Sequence, residues 1–120
     1  MKQMLSVLLL LLTPVLARAD VSPWEKAEVK HLLQFVNDTA CQVERNGEKF
    51  NGPDAAEQML KKYQHFVDEI NSTNDFIAKT ASKSDISGEP YKVYCKGLPV
   101  QTSADWLKHE LIVWRSTHNK

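Results

Sequence analysis

Along this chain the hydrophobic positions recur mainly at spacings of three and four, the period of an amphipathic α-helix. The first such stripe follows the sequence SPWE and continues through Val43, the second follows NGPD, a short third follows STND, and the last follows TSAD. Before the last stripe, the segment PYKVYC alternates apolar and polar residues, which predicts a strand. The pattern therefore predicts a mostly helical α+β domain with about four helices and a short two-stranded antiparallel ribbon.

The predicted helices begin at capping signals. Ser22 precedes Pro23 and stands three residues before Glu25, an arrangement typical of a helix start with a capping box. A short polar side chain in that position can accept a hydrogen bond from a backbone N–H of the first turn. The signal recurs at Ser72 with Asp75 and at Thr102 with Asp105.

The segment ERNGEKF admits two interpretations. In the first, the opening helix continues to Arg45 and ends with Gly47 as a left-handed cap. In the second, a hairpin with an Asn-Gly turn pairs Arg45 with Glu48 and Val43 with Phe50. The apolar stripe continues through Val43 without a change of period, so the helix is the preferred interpretation, with a short strand starting near Glu48.

The start of the chain predicts a secretory signal peptide. Lys2 provides a positive charge, an apolar run of 14 residues ends at Ala17, and the sequence ARA fits a small-x-small cleavage site. The run is too short to cross a bilayer with a margin. We therefore expect residues 1–19 to be a signal peptide and residues 20–120 to form a single small globular domain.

Removal of that segment changes the charge balance. The whole chain has 15 basic and 15 acidic residues, and the segment contains Lys2 and Arg18 but no acid, which leaves 13 bases against 15 acids, a net charge near −2. A weakly acidic domain has no electrostatic reason to bind nucleic acid or an anionic membrane surface. Neither is expected among its partners.

Cys41 and Cys95 are the two cysteines of the chain, and both lie in the part that is expected to be exported. In an oxidising compartment such a pair predicts one disulfide. The chain has no C-x-x-C motif for redox chemistry, and two thiols alone do not make a structural zinc site. The bridge would bring the ERNG segment close to the strand PYKVYC.

The four histidines do not predict a metal site, because none stands four residues from another and no H-E-x-x-H motif is present. His65 belongs to the polar side of the second helix. His31 shares a flank of the first helix with Trp24 and Phe35, and this flank either widens the buried face or binds a partner. We expect neither a metal nor another cofactor.

Ser82, Ser84 and Ser87 crowd the segment from Ser82 to Pro90, which we call the serine loop. A serine nucleophile needs a base within reach and donors for the oxyanion, but neither G-x-S-x-G nor a matched S-x-x-K motif is present. The structural requirements of a turn also account for these residues, since serines hydrogen-bond to free backbone groups and Gly88 can take a positive φ.

Arg45 and Asn46 are a second candidate. Arg45 could hold a carboxylate or another polar group bidentately, or it could satisfy carbonyls of the serine loop, which is the preferred interpretation. If the disulfide brings the two regions together, the candidate binding residues are Arg45, Asn46, Ser84, Ser87 and Tyr91.

Three segments, ERNGEKFNG..AAE.MLKKY, DFIAKTASKSDISGEPYKVYC and WL...L, resemble the YfeK-like family of small uncharacterised proteobacterial periplasmic proteins. The resemblance covers most of the expected mature domain and implies a signal-bearing periplasmic protein of unassigned activity. The residues that carry it are Arg45, Asn46, Gly47, Ala56, Lys62, Phe76, Ile77, Ser84, Ser87, Gly88, Pro90 and Tyr91.

Together these observations predict an uncharacterised exported domain. The preferred hypothesis is a non-enzymatic binding or interaction module of the cell envelope, whose partner is an envelope protein or a small polar ligand. The alternative is a small hydrolase that uses a serine of residues 82–87.

Overall fold

The computed structural model describes residues 20–118, and the predicted signal peptide, residues 1–19, lies outside this part. In chain order the elements are α1 (Pro23–Asp38), β1 (Gln42–Arg45), β2 (Glu48–Phe50), α2 (Gly52–Phe66), α3 (Thr73–Thr80), β3 (Lys92–Tyr94), β4 (Gln101–Thr102) and α4 (Ser103–His118). A 3-10 turn follows α2. The four helices and the antiparallel strands of this part of the chain confirm the predicted α+β class.

The strands form one antiparallel sheet in the order β2-β1-β3-β4. In its centre, β1 pairs with β3 and places Gln42 opposite Tyr94 and Val43 opposite Val93. The two-residue strand β4 extends the sheet by placing Gln101 opposite Val93. The predicted ribbon is thus part of a larger sheet. The sequence did not predict β4, because a strand of two residues is too short to produce a recognisable alternation of apolar and polar positions.

The segment ERNGEKF forms a hairpin, so the preferred prediction of a helix reaching Arg45 is wrong. Helix α1 ends at Asp38. Asn46 and Gly47 have φ angles of +52° and +82°, and a two-residue type I′ turn requires positive values at both positions. The register is that of the alternative interpretation, with Arg45 opposite Glu48.

The close approach of α2 to the end of α1 explains this outcome. A Cβ on Gly52 would lie 2.4 Å from the carbonyl oxygen of Val36 and 2.9 Å from that of Asn37, so only glycine permits the approach. The N-terminus of α2 therefore faces the last carbonyls of α1, a favourable alignment of opposite partial charges. Val43 is buried in the sheet instead, which satisfies the apolar pattern that favoured a longer helix.

The predicted disulfide is confirmed. Cys41 and Cys95 are bonded, with their Cα atoms 4.4 Å apart and a sequence separation of 54. The bridge stands directly beside the pair formed by Gln42 and Tyr94, so it ties the start of β1 to the end of β3. It therefore joins the hairpin to the strand that follows the serine loop.

The core lies between the helices and the inner face of the sheet. The most deeply buried side chains come from α1, α3, α4 and the sheet, as the periodic pattern predicted. Leu60 is an exception, since it belongs to the apolar stripe of α2 but is 42% exposed. The largest apolar side chains that are almost completely buried are Leu32, Val36, Ile70, Phe76, Ile77, Val93 and Leu107.

A buried ion pair joins α1, α3 and α4. Glu28 is 0% exposed and accepts hydrogen bonds from Arg115 Nε at 2.7 Å, Arg115 Nη2 at 2.9 Å and the Thr73 hydroxyl at 2.6 Å. Its neighbour Glu25 accepts from the Thr73 backbone N–H at 2.9 Å and from the Ser22 hydroxyl at 3.0 Å. The predicted capping box is therefore absent, and Glu25 instead accepts a hydrogen bond from the first residue of α3.

The N-terminal end of the described chain is fastened to α2. The Tyr63 hydroxyl and the Val21 backbone N–H each donate to Asp20 Oδ1 at 2.7 Å, and the Lys26 ammonium lies 3.7 Å from Asp20 Oδ2. Partial burial raises the pKa of Asp20, but these hydrogen bonds and the Lys26 charge outweigh it, so the pKa is lowered. Burial, followed by the hydrogen bond to Asp20 and the charge of Asp20, raises the pKa of Tyr63 to about 12.

We expect Asp20→Asn to lower the pKa of Tyr63 from about 12 toward the ordinary value of 10.0. Folded Tyr63 keeps its proton to a higher pH than the unfolded chain does, so its contribution to stability is complete below pH 10 and is lost as the pH rises toward 12. Asp20 has a lowered pKa, so its contribution is present above its ordinary value of 3.8 and is lost as the pH falls below it.

Ultraviolet absorbance of tyrosinate during an alkaline titration measures the first effect. Tyr63→Phe identifies which of the three tyrosines titrates late. An unchanged late titration in the Asp20→Asn protein would contradict the assigned cause.

Candidate functional site

The structure brings the predicted binding residues together where the hairpin meets the serine loop. Arg45 ends β1, Asn46 stands in the hairpin turn, and Tyr91 directly precedes β3. The Asn46 side-chain amide donates to Ser84 Oγ at 3.2 Å, and the Ser87 hydroxyl donates to Asn46 Oδ1. The predicted proximity of the two motifs is therefore present, while a binding role for these residues remains a prediction.

Hydrogen bonds within the serine loop involve all three of its serines. Ser84 is 3% exposed, and its hydroxyl oxygen accepts from the backbone N–H groups of Ile86 and Ser87 at 3.1 and 3.2 Å. The Ser82 hydroxyl donates to the Ile77 carbonyl at 3.0 Å. The Ser84 bonds give the loop its shape, because they pair backbone N–H groups that no strand or helix satisfies, and the Ser82 bond ties the loop to α3.

This geometry gives no support to the hydrolase alternative. Within residues 20–118, no hydroxyl of Ser82, Ser84 or Ser87 is hydrogen-bonded to a histidine, lysine or carboxylate side chain that could act as its base. A serine nucleophile depends on such a base. The serines instead support the loop that faces the hairpin.

Arg45 is the unusual residue of the junction. Its guanidinium lies 5.1 Å from the ring centre of Tyr91 and 5.8 Å from that of Phe50, both within the range of cation–π contact. Its Nε is buried and has no hydrogen-bond partner. No carbonyl of the serine loop accepts from Arg45, so the structural role that the sequence favoured is not observed.

Lys62 of α2 makes the contact with a serine-loop carbonyl that was expected of Arg45 from the sequence. Its ammonium donates to the Lys83 carbonyl at 3.3 Å and to the Tyr91 hydroxyl at 3.1 Å, and it lies 3.4 Å from the Asp85 carboxylate. The Lys62 side chain is only 14% exposed, whereas that of Asp85 is 58% exposed. Lys62 therefore fastens the serine loop to α2 beneath the Tyr91 ring.

Gln58 lies one turn before Lys62 on α2, and its side-chain oxygen is buried without a hydrogen-bond partner. Gln58, Lys62, Arg45 and Tyr91 all line a small cavity of about 20 Å³, enough for about one water molecule. A buried donor on Arg45 and a buried acceptor on Gln58 thus border one cavity. In the sequence, the signal for this feature was the pair Gln58 and Lys62, two polar residues four positions apart that border the apolar stripe of α2.

The aromatic flank of α1 packs mainly against α4. His31 Nε2 lies 2.7 Å from Glu110 Oε2, and the His31 ring stacks on Trp114 with the ring centres 3.9 Å apart. Phe35 contacts Trp106 with the ring centres 4.8 Å apart, while Trp24 remains 55% exposed. Most of this flank therefore widens the buried face, one of the two predicted possibilities.

A wider, open groove of about 530 Å³ lies between α1 and α2. Its floor is aliphatic, and Lys30 and Glu57 stand at its rim. None of the predicted binding residues lines it. The cavity at the junction is much smaller, but two of the predicted binding residues, Arg45 and Tyr91, line it.

Residues 20–118 contain no cluster of three histidine, cysteine, aspartate or glutamate side chains arranged to hold a metal ion. None of the helices within this part is long and apolar enough to cross a membrane.

Comparison with known proteins gives a family without an assigned activity. The model of a family of unknown function, DUF5329, matches residues 23–115. The uncharacterized protein YfeK of Salmonella typhimurium is 29% identical over 92 residues, which make up 76% of this chain and 77% of that protein. No solved structure matches the chain. The resemblance to YfeK-like proteins that the three sequence segments carry is confirmed.

Proposed function

Because this chain belongs to the DUF5329 family, whose function is unknown, we propose its function from its own residues. It is a non-enzymatic binding module of the cell envelope. Residues 1–19 direct export and are removed as a signal peptide, and residues 20–120 remain in the periplasm as one domain. The module contacts an envelope protein or a small polar ligand.

The binding site is the junction between the hairpin and the serine loop. Arg45 and Asn46 contribute from the hairpin, and Ser84, Ser87 and Tyr91 contribute from the other side. Ser84, Ser87 and Asn46 hold the two loops in register, and Arg45 supplies the group that contacts the partner.

Two features support export. The charged start, apolar run and small-residue cleavage pattern of the first nineteen residues are typical of a signal peptide. The Cys41–Cys95 disulfide is a bond that persists in oxidising compartments and is rare in the cytosol.

One observation carries the binding proposal: Arg45 is a half-buried cation without a hydrogen bond or ion pair to any of residues 20–118. Burying polar atoms without partners is costly, and natural domains rarely retain such groups without a reason. A partner that presents an acceptor to Arg45 would provide what the domain itself does not. Arginine is also enriched among the residues that dominate binding energy at interfaces.

Capture of partners from a detergent-free envelope extract tests the proposal. We expect immobilised Arg45→Met protein to recover about tenfold less of an interacting protein than wild type does, as for an arginine central to an interface. Methionine keeps an unbranched apolar stem between the Phe50 and Tyr91 rings, so the fold should be retained.

Lys108→Met provides the matched control, because Lys108 is an exposed cation of α4 far along the chain from the junction. Thermal melting of all three proteins tests whether they are equally folded. Equal recovery by equally stable wild-type and Arg45→Met proteins would remove Arg45 from the proposed site.

A further inference from the structure

The junction already contains one carboxylate next to its cations. Asp85, in the serine loop, lies 3.4 Å from the Lys62 ammonium and is largely exposed. Because the Asp85 carboxylate is mostly solvated, this pair is screened by solvent and contributes little stability, although the Lys62 side chain is largely buried. Asp85 therefore occupies a position in which a carboxylate is attracted but only weakly held.

Arg45 and Lys62 act on the same small region. Each cation lies 5.1 Å from the centre of the Tyr91 ring, and both line the same cavity. With Asp85 included, the region carries two positive charges against one negative charge. The aromatic rings of Phe50 and Tyr91 shield Arg45 from part of the solvent, which strengthens any charge-assisted hydrogen bond that the guanidinium makes.

We propose that Arg45 binds a carboxylate group of the ligand, in an electrostatic field that Lys62 strengthens and Asp85 weakens. This inference rests on the proposed function and names the chemical class that the site takes. Asp85 acts as the resident counter-ion of the site, and the incoming carboxylate competes with its charge.

The chemistry of the groups favours a carboxylate over other anions. A planar guanidinium donates two parallel hydrogen bonds that match the two oxygens of a carboxylate. Arg45, Lys62 and Asp85 together carry one positive charge, which a monoanion neutralises and a phosphate dianion would exceed, and Glu48 opposite Arg45 further disfavours a dianion. The resident anion, Asp85, is itself a carboxylate.

Titration of the purified, disulfide-bonded protein with N-acetyl-glycyl-glycine tests the inference, and the same compound with a C-terminal amide is the uncharged control. The ¹H–¹⁵N signal of the Arg45 Nε–H group reports binding directly, because this group is buried and has no partner within residues 20–118. We expect a saturable shift of this signal with the acid and none with the amide. Arg45→Lys, which keeps the charge but loses the planar fork, should bind the acid at least about threefold more weakly.

Substitution in the serine loop provides the sharper test, because it predicts a gain of binding. Asp85→Asn should bind the acid about two- to fivefold more tightly, the range that corresponds to loss of one exposed ion pair. Glu89→Gln removes a negative charge from the same loop, but the Glu89 side chain makes no ion pair within residues 20–118. This control should change the affinity less than about twofold because its charge is screened by solvent and salt.

Several outcomes would overturn the inference. Binding of acid and amide alike, no response of the Arg45 signal, or equal effects of Asp85→Asn and Glu89→Gln would each do so. A nuclear Overhauser effect from Arg45 Nε–H to a long-lived water, without any response to the acid, would show that the cavity holds a structural water only.

The result is separable from that of the capture experiment. Loss of capture by Arg45→Met without carboxylate binding would remove the ligand class and leave the binding function. Carboxylate binding without Arg45-dependent capture would keep the ligand class and exclude a protein partner at this site.

Discussion

Loss of the Cys41–Cys95 bridge is expected to lower the free energy of unfolding by about 4 kcal/mol, because the bridge closes a loop of 54 positions in the unfolded chain. Without it the unfolded ensemble gains the entropy of the open loop, while the folded state keeps its strands and helices. A loss of this size is a large part of the 5–15 kcal/mol that stabilises a typical domain. The midpoint of thermal unfolding should fall by roughly 20 °C.

Urea unfolding of the oxidised protein and of the Cys41→Ala, Cys95→Ala double variant measures the difference. Reductant should destabilise the wild type to the level of the double variant and leave the double variant unchanged. A difference below about 1 kcal/mol would mean that the unfolded chain already keeps the two cysteines close together, contrary to the chain-entropy argument.

The bridge also bears on the proposed site. It holds β1 against β3, and these strands carry Arg45 and lead away from Tyr91. Arg45 and Tyr91 lie at the end of this strand pair that is farther from the bridge. If the strands separate from the cysteine end after reduction, the Asn46 bonds to the serine loop would be the last contacts near this pair to be lost.

Arg115→Met is expected to destabilise the domain by about 3 kcal/mol, because it removes the guanidinium from a fully buried carboxylate. Arg115 donates two hydrogen bonds to Glu28, and the bond to Glu28 is also the main cause of the raised pKa of Arg115. The fully buried Glu28 carboxylate then loses the positive charge of Arg115. The Thr73 hydroxyl that also donates to Glu28 cannot replace a positive charge.

A double variant distinguishes the charge effect from lost packing. Glu28→Met combined with Arg115→Met removes both charges and should recover a large part of the lost stability, since apolar replacement of a buried pair is often neutral or better. Chemical denaturation of the wild type, both single variants and the double variant completes the cycle. Strictly additive losses would contradict the proposed dependence of Glu28 on Arg115.

Local sequence signals placed several element starts correctly. Ser72 caps α3 by accepting from the Asp75 backbone N–H at 3.0 Å, and Thr102 accepts from Asp105 N–H at 3.2 Å. Such caps depend on residues within one turn, so the sequence contains all the information that they need. The disulfide was predictable for a related reason, because two cysteines in an oxidising compartment leave one pairing.

The hairpin was not decided by local signals. Asn46 and Gly47 suit both a type I′ turn and the left-handed end of a helix, and Val43 fits the apolar stripe of a helix or the buried face of a strand. The choice depends on Gly52, whose approach to the last carbonyls of α1 is a contact between two helices. No pattern within the segment could report that contact.

The candidate site also combines features that the sequence predicted with features that only the packing decided. The nearness of Asn46 to the serine loop followed from the disulfide, but the partners of Arg45 and Lys62 did not. Either cation could have reached the loop carbonyls, and Lys62 does so because α2 carries its ammonium beneath the Tyr91 ring. Arg45 contacts the Tyr91 and Phe50 rings instead and makes no hydrogen bond within residues 20–118.

By itself, the sequence determined the class of the domain, the approximate positions of its helices, its disulfide and its family, because these depend on periodicity, capping and composition. The tertiary structure alone decided where α1 ends, that Glu28 and Arg115 meet in the core, and that the half-buried Arg45 has no counter-charge within residues 20–118. Those features depend on distances between residues far apart in the chain, and such distances are set only when all the elements pack together.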